Sequence, residues 1–286
     1  MAQPARPIVL GLVAETHVHV GIGQSVEGID LPIARERTTH WPFVPGSGVK
    51  GAFRVWAQEQ AKIDSIDTLF GRTDADDGAA GNAGMLMFSD AKLVLLPVRA
   101  LNRAWRWVTS PGLLRRYQRD LARAGLSATF SIPSVEQGKW LGAGAGWLGL
   151  EEREFEHAGA VDQPVVEALR QLTGESADAI RKRLVILNDD DFVWFALYGV
   201  PVMARNALDE NKRVRKGALW YEESLAPDSV LYVLIGERVS NGPDAVGDLR
   251  KGLSDAPYIQ MGGNETIGQG WFRMVELSTG GADGQA

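Results

Sequence analysis

The first apolar run, residues 8–15, is rich in β-branched side chains and gives way to a polar stretch holding His17 and His19. It predicts a strand that runs into Gly21 and Gly23. From residue 21 to 44 no helical period is present, and Gly28, Pro32, Pro42 and Pro45 punctuate the segment. A structureless stretch of that length in a compact domain is usually functional. The period then changes. Over residues 47–62, Val49, Phe53, Val55 and Trp56 form an apolar stripe, Ser47 is placed to cap, and Lys50 and Arg54 lie four apart on the polar face. This pattern predicts a helix.

Residues 71–84 hold no large apolar side chain and read as a mobile loop, followed by a strand over 85–96. Ser110-Pro111 opens a helix over 111–124 whose Arg115, Arg116, Arg119 and Arg123 read as a solvated basic face. Residues 147–156 predict a strand, and 163–187 one or two helices interrupted near Gly174. The apolar run 192–204 reads as a strand that returns at 219–221, making a long hairpin over about 192–221. Its charged tip carries Arg205, Lys212, Arg213, Arg215 and Lys216. A strand at 231–235, a short helix at 243–253 and a strand at 258–261 precede a glycine loop at 262–271. A last strand, 271–277, leads to a tail from 279 that reads as disordered. No self-similarity occurs at solenoid periods.

Composition narrows the classes. A chain of 286 residues, 45% hydrophobic and 23% charged, suits a soluble globular protein of one elaborated α/β domain or two. A net charge of −6 excludes an overall positive field, so any nucleic-acid site must be a local basic patch. With no cysteine, disulfides, thiolate zinc sites and cysteine nucleophiles are excluded. No apolar stretch is long enough to span a membrane, and the first residues lack a signal peptide's pattern, so a cytoplasmic location without membrane partners is expected.

Two glycine-rich motifs stand out. PGSGVKGAFR, residues 45–54, puts small residues at a helix entry with two cations behind them, a setting that favours an anion. It is not a Walker A loop, because Gly51 follows Lys50. On spacing alone a plain glycine-bearing helix entry explains it equally well. GGNETIGQGW, residues 262–271, is compatible with a backbone that embraces a ligand, or with a tight turn region. His17 and His19 share a strand face, but only His40 and His157 remain to complete a site, which disfavours a histidine-rich metal centre. Asp30 sits in the long loop, where a carboxylate could reach a phosphate or a hydrated cation, although isolated loop aspartates are usually only solvated. For Asp189, Asp190 and Asp191 a solvated turn before a strand is the better reading.

Taken in order, HVHVGIGQSVEGIDLPIARERTTHWPFVPGSGVKGAFR (17–54), SDAKLVLLPVRA (89–100), GALWYEESLAP (217–227) and MGGNETIGQGW (261–271) resemble the backbone subunits of type III-B CRISPR effectors, the Cmr complexes, in the RAMP superfamily. The departures, Ala34 where glutamine is common and Gly48 where serine is usual, touch no chemical residue. The resemblance implies one α/β (α+β) domain over residues 1–286, an RRM-like ferredoxin core (βαββαβ) with insertions and a hairpin thumb. It implies a filament of copies along a guide crRNA, with other Cmr subunits, that cuts complementary single-stranded target RNA at regular intervals. It places RNA contacts on Arg35, Arg37, Gly46, Ser47, Gly48, Lys50, Arg54, Asn264, Gln269 and Gly270, with Arg205 and Lys212 on the hairpin. Asp30 falls on the catalytic aspartate and would bind a divalent cation, Mg²⁺ or Mn²⁺, with His19 or Glu222 assisting. The RNA's own 2′-OH would attack, leaving a 2′,3′-cyclic phosphate and a 5′-OH. The rival reading in the same assembly is a structural crRNA-binding subunit that does not cut.

Overall fold

The computed structural model describes residues 7–25, 28–72, 82–127, 129–238 and 244–277. In chain order the first elements are β1 (Ile8–Ala14), β2 (Phe43–Val44), α1 (Gly46–Glu59), α2 (Ile66–Phe70), β3 (Leu86–Phe88) and β4 (Ala91–Ala100). An insertion follows: β5 (Arg103–Thr109), α3 (Pro111–Arg123), β6 (Lys139–Gly142), β7 (Trp147–Leu150), β8 (Arg153–Gly159), α4 (Gln163–Thr173), α5 (Ala177–Arg183), β9 (Leu184–Leu187) and α6 (Asp189–Tyr198). The chain then forms a separate two-stranded hairpin, β10 (Val202–Leu208) and β11 (Val214–Glu223). It ends with β12 (Val230–Glu237), α7 (Ala245–Asp255), β13 (Tyr258–Gln260) and β14 (Trp271–Glu276).

β1 is buried along its whole length and β12 from Val230 to Gly236, which explains why both read as continuous apolar runs and not as alternating ones. They pair antiparallel from Ile8↔Ile235 to Val13↔Val230, with β14 on the far side of β1 and β4 beyond β12. The order β14-β1-β12-β4, with α1 after β1 and α7 after β12, is the ferredoxin-like βαββαβ arrangement. One face packs Phe53, Trp56 and Leu249 against Leu10, Leu12 and Val233. The other packs Leu114, Tyr117 and Leu169 against Val9, Val13 and Tyr232. At Gly11 a Cβ would lie 1.9 Å from the Leu172 carbonyl oxygen, so only glycine lets the end of α4 press onto β1. The insertion adds β5, β9, β6, β8 and β7, and the pair Ala100↔Leu150 returns this path to β4 as a closed ring.

Several expectations are revised. The strand expected over 85–96 is two strands with a break at Ser89-Asp90, and that expected over 147–156 is the β7–β8 hairpin, turning at Glu151 with φ 48°. Gly174 ends α4 in the left-handed region as expected, but 184–187 is strand and not helix. The run after 192 belongs to helix α6, whose Phe192, Phe195 and Ala196 are buried at i, i+3 and i+4. Asn188 caps it by accepting from Asp190 N, and the aspartates form its first turn, where the helix dipole favours them. They are not a solvated turn, since Asp189 accepts from Gly112 N at 2.8 Å and buried Asp191 accepts from Gly138 N and pairs with Arg153. The hairpin is therefore shorter than 192–221 suggested at its first end. Ser47 does not cap α1: Pro45 precedes the helix, and Asp90 Oδ1 accepts from Gly46 N at 2.7 Å. Residues 73–81 of the expected mobile loop, and the tail from 278, lie outside the described residues.

The long segment after β1 is irregular, as expected, but pinned. Its bridges are Val18↔Leu225, Gly21↔Ile33, Leu31↔Glu222 and Arg35↔Pro42. Arg35 forks onto Glu223 with hydrogen bonds of 2.7 and 2.5 Å, and also donates to Ala196 O on α6. Glu223 further accepts from Ile33 N at 3.0 Å. One ion pair thus joins loop, helix and hairpin base. Arg35→Ala leaves the Glu223 carboxylate buried and unpaired and is expected to remove about 3 kcal/mol of stability in urea unfolding. Arg37→Ala, at an exposed side chain, is expected to shift it by less than about 0.5 kcal/mol.

Candidate functional site

Three segments converge at the C-terminal end of β1. The chain leaving β1 passes between the hairpin base and the glycine loop, held by Gly270 N donating to His17 O and Gly263 N to His19 O, both at 2.8 Å. At Gly262, φ is +94° and a Cβ would stand 2.5 Å from His19 O, so the loop can close on this segment only with glycine there. His19 is buried with Nδ1 2.7 Å from Glu223 O, which makes it a brace between segments. His17 lies 3.3 Å from Ser224 Oγ. Burial, and then the charge of Arg205, hold its imidazole below the usual histidine range.

Asp30 is exposed beside the hairpin base. Its Oδ2 accepts from Tyr221 N at 2.7 Å, while Leu31 pairs with β11 through Leu31 N to Tyr221 O and Glu223 N to Leu31 O. The carboxylate is therefore fixed relative to β11, and its other oxygen has no partner among the described residues. Glu222 is buried at 3% exposure, accepts from Asn264 Nδ2 and stands 3.5 Å from Arg205. Asn264 also donates to Gln269 Oε1 at 2.9 Å. Asn264 and Gln269 thus connect the glycine loop to Glu222.

The two glycine motifs share a cleft of about 250 Å³, lined by Gly48, Gly51 and Trp56 from α1, by Gln260 at the end of β13 and by Gly262 and Glu265 from the loop. Gly48, on the cleft wall, and its neighbour Ser47 are exposed. Lys50 has no ion-pair partner among the described residues, whereas Arg54 pairs with Asp67 at 2.7 Å and donates to Gly71 O. Arg35 is likewise committed within the protein. Lys212 lies at the exposed hairpin turn with φ 59°, but Arg205 is midway along β10 and not at the tip. Among the described residues no group of three His, Asp or Glu is placed to hold a metal ion. Among the described residues Asp30 is the carboxylate that could hold a divalent cation here, the remaining ligands coming from substrate phosphates and water.

Sequence reasoning missed Glu223, Tyr221 and Trp220. The available signal was LWYEE itself: adjacent carboxylates on a strand must point to opposite faces, so one of them had to turn into the protein.

A profile of the RAMP superfamily matches residues 12–273. The CRISPR system Cmr endoribonuclease Cmr4 of Pyrococcus furiosus is 31% identical over 93% of this chain and 94% of its own. The CRISPR system CMR subunit Cmr4 of Saccharolobus solfataricus is 25% identical over 92% and 93%. The crystal structure of oligomeric Cmr4 from Pyrococcus furiosus superposes with a TM-score of 0.75 at 26% identity, covering 96% of this chain and 99% of that one. The same fold occurs in a cryo-EM structure of the type III-B Cmr-beta complex bound to cognate target RNA, with a TM-score of 0.74, 23% identity and coverage of 96% and 99%. Among the described residues no helix is long and apolar enough to cross a membrane. With a profile spanning all but its ends and such a relative along nearly its full length, the chain belongs to the RAMP superfamily.

Proposed function

We propose that the chain is a backbone subunit of a type III-B CRISPR effector, an RNA-guided endoribonuclease of the cytoplasm. Copies of it line a guide crRNA beside other Cmr subunits and cut complementary target RNA. The observation that carries this reading is the shared cleft: the α1 entry and the glycine loop flank one groove, and Asp30 stands fixed at the root of a hairpin that forms its own sheet.

In this reading the guide backbone follows the cleft past Ser47, Gly48 and Gly262, Gly270 supporting the loop from beneath, with Lys50 and Arg37, which have no ion-pair partner among the described residues, meeting phosphates. The tip bearing Lys212 passes through the guide–target duplex and interrupts pairing. A freed target nucleotide can then align its 2′-OH with the next phosphate, and this orientation supplies much of the acceleration. Asp30 would hold the divalent cation, Mg²⁺ or Mn²⁺, whose chemistry is to stabilise charge on the phosphate oxygens. The Tyr221 amide keeps one carboxylate oxygen of Asp30 engaged and aims the other outward. His19 and Glu222 act by holding the segments around Asp30 in place, since both are buried in contacts within the protein.

The test is cleavage of an end-labelled complementary RNA by the complex reconstituted with its guide. Wild type with Mg²⁺ or Mn²⁺ is expected to yield an evenly spaced ladder, lost with EDTA and with Asp30→Asn, while guide binding by Asp30→Asn stays within about twofold. Tight guided binding without cleavage by wild type would make the chain the structural subunit instead.

Lys50→Ala is expected to weaken guide binding for every sequence and to lower the slope of log K against log salt by about 0.7, the value for one phosphate contact on a single strand. Affinity measured from 50 to 200 mM salt checks this. Replacing the turn at residues 209–213 by a two-residue turn is expected to abolish or shift the cleavage spacing while leaving the unfolding midpoint unchanged, because the hairpin contributes nothing to either core cluster beyond its base.

A further inference from the structure

One face of the hairpin holds hydrogen-bond donors with nothing to receive them. Arg205 pairs opposite Trp220 and Met203 opposite Glu222, so these four side chains lie together on the less exposed face of the two strands. Arg205 Nε, Arg205 Nη2 and Trp220 Nε1 are all buried and make no hydrogen bond among the described residues. The ionic contact of Arg205 with Glu222 Oε1, at 3.5 Å, does not satisfy Nη2, and that same oxygen is taken by Asn264 Nδ2. Buried donors are almost always partnered, and a guanidinium is the most demanding of them.

Three donors, two of them on one fixed guanidinium fork, complement a group with at least two acceptor oxygens and a negative charge. The face lies on the strand whose Tyr221 amide holds Asp30. Resting on the function proposed above, we propose that Arg205 and Trp220 bind one phosphodiester of the target strand, close to the linkage at which Asp30 acts. The donors are covered in the RNA-free protein, so occupation requires the hairpin to lift. Outward of Tyr221 the two strands pair only with each other, so they can lift there while the root stays pinned by Leu31 and by the Arg35–Glu223 pair.

The experiment uses the guide-loaded complex and target RNAs in which the linkages around one cut site are replaced, one at a time, by neutral methylphosphonates. Arg205→Ala and Trp220→Phe are each expected to slow cleavage of the natural target about tenfold, with guide binding unchanged. Arg205→Lys is expected to recover only part of the loss, because a point charge does not reproduce the fork. At one linkage, not itself the scissile one, the neutral substitution should slow wild type by a similar factor and slow Arg205→Ala no further. Trp220→Phe should leave the unfolding midpoint unchanged or higher, since it removes an unsatisfied donor and keeps the ring. A residue that merely held the hairpin together would lower that midpoint. Wild-type cleavage by both variants, or losses that every neutral linkage adds to equally, would overturn the inference while leaving the proposed function standing. A wild-type complex that captures no guide would overturn both.

Discussion

The burial of β1 on both faces is the constraint from which the site follows. A strand enclosed by helices above and below, and paired on both edges, has no freedom of register. Its exit point is therefore fixed relative to β12 and β14. At that exit Asp228 N donates to Ala14 O and Glu15 N to Trp271 O, so the chain entering β12 and the chain entering β14 arrive at the same place. The hairpin returns just before β12 and the glycine loop just before β14. Their convergence on residues 15–19 is a consequence of topology, and the contacts of His17 and His19 complete what the sheet has already arranged.

Charge works within that frame by subtraction. The chain is acidic overall, and many of its arginines are consumed inside it: Arg35 by Glu223, Arg54 by Asp67, Arg116 by Glu36 and Arg153 by Asp191. Among the described residues Lys50, Arg37 and the cations of the hairpin tip have no ion-pair partner, so an acidic protein still carries local positive charge that can attract a polyanion.

This division also explains what the sequence could reveal. The glycine motifs were legible because backbone approach and positive φ demand glycine whatever lies elsewhere, as at Gly262. The ends of α3 and α4 were legible because Ser110, Pro111 and Gly174 act locally. Arg35 and Arg37 could not be told apart, since their opposite fates are decided by Glu223, 188 residues from Arg35. Helix α6 was misread because Phe192, Val193, Trp194 and Phe195 in succession look like a buried strand, and only packing shows that the buried positions follow helical spacing. The importance of Asp30 came from family resemblance. Its spacing carried nothing, because the amide that fixes it lies 191 residues away.

The site's economy bears on how activity is controlled. A nuclease that carried several metal ligands could cut any RNA that diffused in. Here Asp30 is exposed and oriented by a backbone amide, and Glu222 and Asn264 nearby are engaged in holding segments together. In the proposed reaction the nucleophile belongs to the substrate, and the remaining oxygen ligands to the cation do too. Productive geometry then depends on a guide seated in the cleft and a target bent by the hairpin. In that reaction proximity would supply the rate only when both are in place, and cleavage would then be conditional on recognition.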